Sequence, residues 1–400
     1  MAKDGNGQET GVVRGLGDVV AANSRLGCVD GELGKLWYCG YDAIELARNG
    51  CYEETLYVLL YGKLPTAGQL DALRREMIRH RRMGPAVMQL MQALPGAPTS
   101  MEALRTAVSA LSAIDPSPLD KSREANLRRA IRIVAQMPTL ATAHWRMRQG
   151  EEPIPPRDDL NHAANLFYML HGRAPSAAEA RVLDMCLTLM AEHELNASTF
   201  AVRVVASTLS DLYASLTAGI GALNGPLHGA ANTEVMRMLL EVDHSGDIDG
   251  YVQGALGAKR RIMGFGHRVY KTWDPRATFL RQVLTEMDGQ LPGAHWHRLA
   301  DKIRDTVFKY KQLHPNVDFY AAPALYGLGF PMEMFTSVFA CARSAGWGAH
   351  VLEQYDDNRL IRPTICYTGA RQRPYVPLTE RLESPAPLVA VVSEAAAGQV

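Results

Sequence analysis

Residues 316–350 read NVDFYAAPALYGLGFPMEMFTSVFACARSAGWGAH and carry formal charge only at Asp318, Glu333 and Arg343. A run so poor in charge has to be enclosed by other protein, because its apolar surface is costly to leave in water. Met334, Phe335, Val338, Phe339 and Ala342 recur at helical spacing, so the middle of the run reads as a core helix. Asp318 and Arg343, with His350 just beyond, are harder to explain as packing. Buried charges are expensive unless paired or used, so these residues bracket either a structural ion pair or a site.

The rest of the chain supplies helices to enclose that run. Of the 400 residues, 47% are hydrophobic and 21% charged, which allows a large core and two or three units of ordinary domain size. Residues 15–50 are Gly-rich and broken, and read as turns and small hairpins ending in a short helix over 43–48. Helical spacing follows over 52–94, interrupted at Pro65, and prolines with short Ser/Thr links separate further helices over 95–118. Residues 119–149 form a longer helix with Leu127, Ile131, Val134 and Ala135 on one face, which Pro138 should kink or divide. Its six arginines, 123, 128, 129, 132, 146 and 148, are expected on a solvated face. A short helix spans 160–171. Ser176 and Glu179, at capping-box spacing, then open a helix whose stripe of Val182, Met185, Cys186, Leu189 and Met190 ends by delivering His193. Regular alternation is hard to find anywhere, so the fold class is all-α, built of many short to medium helices.

Charge and cysteine usage narrow the function. Lys plus Arg equals Asp plus Glu at 42 each, so no net field favours nucleic acid or an anionic membrane, and a small-molecule partner is expected. The six cysteines are scattered without a CxxC pair, which points to a reduced, cytoplasmic setting rather than a disulfide framework. The opening MAKDGNGQETGVVRGLG lacks the apolar core of a signal peptide, and no run of about 18 apolar residues occurs, so a soluble chain without membrane contact is expected. Residues 383–400, rich in Ala, Pro and Val, read as a mobile tail.

Three histidines stand out by setting. His193 lies in HELNASTF, where a helix runs out into small and polar residues. His228 lies in NGPLHGAAN and His267 in MGFGHRVYKTWDPRA, both in glycine-containing loops that let backbone approach a ligand closely. His80, His144, His295, His297 and His314 lack such settings and read as surface or satisfied core. Metal ligation is the rival use of a histidine set, but zinc sites carry short-spaced pairs such as HExxH or CxxC, and these three are tens of residues apart; no metal is expected. GFGH is neither a phosphate loop nor a dinucleotide fingerprint, and a GxSxG elbow is absent. Histidines able to donate hydrogen bonds to carbonyl oxygens, together with a carboxylate base, suit proton abstraction beside a carbonyl followed by carbon–carbon bond formation. Arginines would hold a dicarboxylate through paired hydrogen bonds.

NGPLHGAAN, MGFGHRVYKTWDPRA, the 316–350 run and RLIRPTICYTG together resemble the citrate synthase family, including its 2-methylcitrate synthase branch. DGELGKLWYCGYDAIELA and HELNASTF resemble further family segments, so the likeness runs in order from about Gly15 to Arg381. It implies a mostly helical homodimer, with a large domain over 1–229 and 331–382 and a small domain over 230–330 that closes over the substrates, Gly225, Gly229, Gly327 and Gly329 being hinge candidates. By the same resemblance Asp318 is the base that deprotonates the acyl group of a coenzyme A thioester. His228 holds the thioester carbonyl, and His267 polarises the keto group of oxaloacetate and supplies a proton as the bond forms. His193, Arg276 and Arg343 bind oxaloacetate, and Arg362 reaches in from the other subunit. Lys271, Ile262, Gly264 and Gly266 contact coenzyme A, which is a substrate; no permanently bound cofactor is implied. Cys39, where many relatives have Arg, and Asn23 depart from the pattern without touching this set. Acetyl-CoA and propionyl-CoA stay open as acyl donors, because one methylene in an apolar pocket changes binding by only about 1–3 kcal/mol. A non-catalytic relative that binds acyl-CoA is the remaining alternative.

Overall fold

The structure, a computed structural model, describes residues 13–17, 19–94 and 99–381. The expected mobile tail over 383–400 and most of the N-terminal stretch without a signal-peptide core lie outside the described residues. The chain divides into two compact units. One comprises Met1–Ala21 with Arg362–Val400. Among its described residues regular structure is limited to single 3-10 turns at Arg14–Leu16 and Leu378–Glu380, and Ile365, Tyr367, Tyr375 and Leu378 are exposed.

The other unit, Ala22–Ile361, holds the core. It opens with a small antiparallel sheet of β1 (Gly27–Asp30), β2 (Lys35–Tyr38) and β3 (Tyr41–Asp42), in which Cys28 pairs with Trp37 and Tyr38 with Tyr41. Helices follow: α1 (Ala43–Asn49), α2 (Tyr52–Tyr61), α3 (Ala67–His80), α4 (Pro85–Gln92), α5 (Ser100–Ala110) and α6 (Arg123–Arg148). The chain continues through α7 (His162–His171), α8 (Ala177–Met190), α9 (Ala197–Ser207), α10 (Leu212–Leu223) and α11 (Ala231–Ser245). It ends with α12 (Ile248–Gly257), α13 (Pro275–Glu286), α14 (Ala294–Lys311), α15 (Val317–Gly327) and α16 (Phe335–Asp356). The expected all-α class holds, and the small hairpins read in the Gly-rich opening are its sheet. Among the described residues no helix is long and apolar enough to cross a membrane.

The enclosed run is α15 and α16. α16 packs against α2, α6, α8, α9 and α10, and Phe335, Val338, Ala342 and Trp347 are fully shielded from solvent. α11, α13 and α14 pack around α15, and α12 lies on α14. The capping box read at Ser176 and Glu179 opens α8, with Ser176 Oγ accepting from the Glu179 N–H at 3.2 Å and Glu179 Oε2 accepting from the Ser176 N–H at 2.7 Å.

Of the kink or division expected at Pro138, division does not occur: α6 runs on as one element through Arg148. Apolar neighbours bury its middle on all sides, so packing offsets the hydrogen bond that proline cannot make. Nor do all six arginines lie on a solvated face. Arg129 is buried, its Nε 2.6 Å from Asp115 Oδ2 and its Nη1 2.9 Å from Asn126 Oδ1. A partner from outside the helix turned this arginine inward, and helical periodicity cannot register such a partner.

Candidate active site

Three helices of the larger unit begin with the same local device. Asn196 Oδ1 accepts from the Thr199 N–H at 3.1 Å, Asp274 Oδ1 from the Arg276 N–H at 3.0 Å, and Asn316 Oδ1 from the Asp318 N–H at 3.1 Å. Each cap satisfies one of the orphan donors of a first turn. Each helix then carries a polar residue at its second position: Ser198 on α9, Arg276 on α13 and Asp318 on α15.

Asp318 is half-buried. Among the described residues no donor bonds its carboxylate. Burial raises its pKa to about 6, with Arg276 and Arg343 pulling it down and Asp274 pushing it up. The loop before His267 is laced to the segment before Asp318. Asn316 N–H donates to Gly264 O at 2.8 Å, Asn316 Nδ2 to Gly266 O at 3.0 Å, and Gly266 N–H to His314 O at 2.9 Å. Gly264 has φ +78°, and a Cβ there would lie 2.7 Å from Val235 Cγ2 and 2.9 Å from Phe319 Cβ. Only glycine fits this contact.

The hydrogen bonds fix which nitrogen of each histidine carries its proton. His267 Nδ1 faces the N–H groups of Val269 at 3.0 Å and Tyr270 at 3.1 Å, which can only donate. Nδ1 is therefore the acceptor, and the neutral ring carries its hydrogen on Nε2. His228 Nε2 faces the Ser198 N–H at 3.3 Å and lies 2.9 Å from Ser198 Oγ, so its hydrogen sits on Nδ1. Burial lowers the pKa of both rings to about 4, assisted by Arg343 at His228 and by Arg276 at His267, where Asp274 opposes the shift. Both are neutral donors at physiological pH. His193 is held well below the ordinary histidine value by burial and then by Arg276, His267 and Arg343. Its ring centroid lies 5.2 Å from that of His267, and its Nε2 3.3 Å from the Tyr270 hydroxyl.

Two buried arginines supply positive charge. Arg276 is clasped by Asp274, Nε to Oδ1 at 3.0 Å and Nη2 to Oδ2 at 2.8 Å. Asp274 Oδ2 also accepts the Val317 N–H at 2.9 Å, tying α13 to the start of α15. Arg343 donates from Nε to Met190 O at 2.7 Å. Burial lowers its pKa, and Glu192 is the first charge that opposes the shift.

The structure thus gathers His193, His228, His267, Asp318, Arg276 and Arg343 into one electrostatically coupled cluster. Gly264 and Gly266 lie in the same loop as His267, after the buried Ile262. Lys271 is exposed, and its N–H donates to Gly31 O at 3.0 Å. Arg362 is exposed and belongs to the other unit. Ser198, Tyr270, Asp274 and Glu192 also build the cluster, although nothing in the sequence singles them out beyond their place inside its motifs. Among the described residues no group of three or more His, Cys, Asp or Glu side chains is disposed to hold a metal ion.

Neutral donors, a carboxylate with a raised pKa and buried guanidinium groups suit enolisation and capture of an anionic carbonyl compound. The family described as citrate synthase, C-terminal domain, matches residues 15–364. The citrate synthase of Haloferax volcanii is 47% identical over 377 residues, covering 92% of this chain and 98% of that protein. A citrate/2-methylcitrate synthase of Bacillus subtilis is 39% identical, over 89% of this chain and 96% of that one. The crystal structure of citrate synthase from Pyrobaculum aerophilum superposes with a TM-score of 0.87 at 40% identity, covering 92% of this chain and 95% of that chain. In sequence over most of its length, and in fold, the chain belongs to the citrate synthase family.

Proposed function

We propose that this enzyme condenses acetyl-CoA with oxaloacetate to give citrate and free coenzyme A. The observation that carries the reading is Asp318, a carboxylate of raised pKa without a hydrogen bond from any of the described residues, in one cluster with two neutral imidazole donors and two buried arginines. The carboxylate takes a proton from the α-carbon of the thioester, and the electron pair released moves toward the thioester oxygen, where His228 Nδ1–H receives the growing charge. The nucleophilic carbon attacks the keto carbon of oxaloacetate. The carbonyl electrons pass to the keto oxygen, which His267 Nε2–H polarises and protonates as the bond forms. Water then cleaves the thioester, releasing coenzyme A as the thiol. His193, Arg276 and Arg343 hold oxaloacetate, with Arg362 of a second copy completing the site in a homodimer. Lys271, Ile262, Gly264 and Gly266 contact coenzyme A.

On this reading residues 230–330, which contain α11 to α15, are the small domain that closes over the substrates, and 1–229 with 331–382 form the large one. The exposed apolar residues after Arg362 support a paired state, and the scattered cysteines support a cytoplasmic setting. The name of the Bacillus subtilis relative favours a second reading, 2-methylcitrate synthesis from propionyl-CoA.

Thiol release with oxaloacetate, followed side by side for the two acyl donors, tests both. A higher kcat/KM for acetyl-CoA is expected. A preference for propionyl-CoA of about tenfold, or about 1.4 kcal/mol of differential transition-state binding, would move the assignment to the second reading. No release with either would leave only the non-catalytic acyl-CoA binder.

A further inference from the structure

The segment that delivers His193 lies along α16 and bonds to it at three consecutive residues. Met190 O accepts from Arg343 Nε at 2.7 Å, Ala191 O from the Gly346 N–H at 3.2 Å, and Glu192 Oε1 from His350 Nε2 at 3.1 Å. Arg343, Gly346 and His350 succeed one another at three- and four-residue steps, so they share one face of the helix. The direction of the last bond follows from the other ring nitrogen. Arg203 Nη1 lies 3.0 Å from His350 Nδ1, and a guanidinium can only donate. The ring therefore presents Nε2–H to Glu192. Arg203 is itself anchored by Glu353 Oε2 at 2.6 Å and Gln354 Oε1 at 2.9 Å.

Glu192 is fully buried, and its Oε2 has no hydrogen-bond partner among the described residues. It reaches this position because residue 346 is glycine; a Cβ there would lie 2.4 Å from Oε2. A buried carboxylate with one orphan oxygen is costly and calls for a compensating charge. Arg343 feels this carboxylate: Glu192 is foremost among the charges that oppose the lowering of its pKa by burial.

We propose that Glu192 and His350 are positioning residues for the oxo-acid substrate: their hydrogen bond sets the register of His193 against Arg343, and the Glu192 carboxylate supports the charge of the Arg343 guanidinium. This inference rests on the condensation reading. On this proposal both side chains, which are buried, act through His193 and Arg343 rather than on substrate directly. Their effect therefore falls on oxaloacetate and spares the thioester.

The test is steady-state kinetics with acetyl-CoA and oxaloacetate. His350→Phe, which removes the donor, is expected to raise KM for oxaloacetate about tenfold while KM for acetyl-CoA stays within about twofold. His350→Gln, which retains an N–H, should recover most of the loss. On an Arg343→Gln background His350→Phe should add less than about twofold, because both act through the placement of the same substrate-binding group. Equal changes in both KM values, or full additivity with Arg343→Gln, would reduce the pair to a structural role and overturn the proposal. Should His350→Phe fail to fold, Glu192→Gln decides by the same comparison of KM values, since it keeps the acceptor and removes the charge. Wild-type protein without thiol release would overturn the condensation reading, whereas wild-type turnover with unaffected variants overturns this inference alone.

Discussion

At Asp318 two opposing effects meet. The start of α15 and the arginines favour the carboxylate, burial disfavours it, and burial wins, leaving a pKa of about 6. The sign of the resulting pH dependence follows directly. As the proposed base, Asp318 works only when ionised, and its raised pKa keeps the proton on until about pH 6. His228 and His267, near 4, stay neutral throughout that range. The expected kcat/KM for acetyl-CoA therefore falls about tenfold per unit as pH drops below 6. A limb centred at the ordinary aspartate value would count against the assignment. Asp318→Ala is expected to lower kcat by at least about 100-fold with oxaloacetate binding, measured calorimetrically, nearly unchanged. Asp318, Arg343 and the three histidines are legible in the sequence because charge in an apolar run and histidine in a glycine loop are local anomalies. Ser198 and Asp274 are not, since each matters through a residue it meets only after folding.

Among the helices, the Asn or Asp cap followed by a functional residue at the second position recurs on α9, α13 and α15. Such a cap fixes the first turn and so aims the side chain that follows. Asp274 combines this with two further tasks, clasping Arg276 and accepting the Val317 N–H. Asp274→Ala thus strands a buried guanidinium and an amide at once. A loss of about 3–5 kcal/mol in unfolding free energy is expected, read by denaturant titration, together with a higher KM for oxaloacetate. A loss below about 1 kcal/mol would show that the clasp contributes little. Helix positions were legible from apolar spacing and cap residues, as at Ser176 and Glu179. The continuity of α6 through Pro138 was not, because enclosure by neighbouring helices overrides a local rule.

For the whole molecule, the decisive question is whether one site draws on two chains. Arg362 lies in a run of exposed residues in a unit separate from the catalytic cluster. Mixing Arg362→Ala chains with Asp318→Ala chains should restore thiol release that neither variant shows alone, because one site of each mixed pair then has both groups intact. Absence of recovery would place Arg362 in its own chain's site or outside any site. The fold class was readable from the missing alternation, whereas the proposed sharing of Arg362 and the proposed domain bounds rest on family resemblance alone. The β1–β2 hairpin carries one more consequence. Val29 N–H is bonded to Glu194 across 165 positions of sequence, and Thr272 Oγ1 reaches Glu32 O across 240. The hairpin's partners thus lie far along the chain from it. Loop closure over such distances is entropically slow, so the loop after His267 gains this outer support late in folding, after the contacts within and between neighbouring helices have formed.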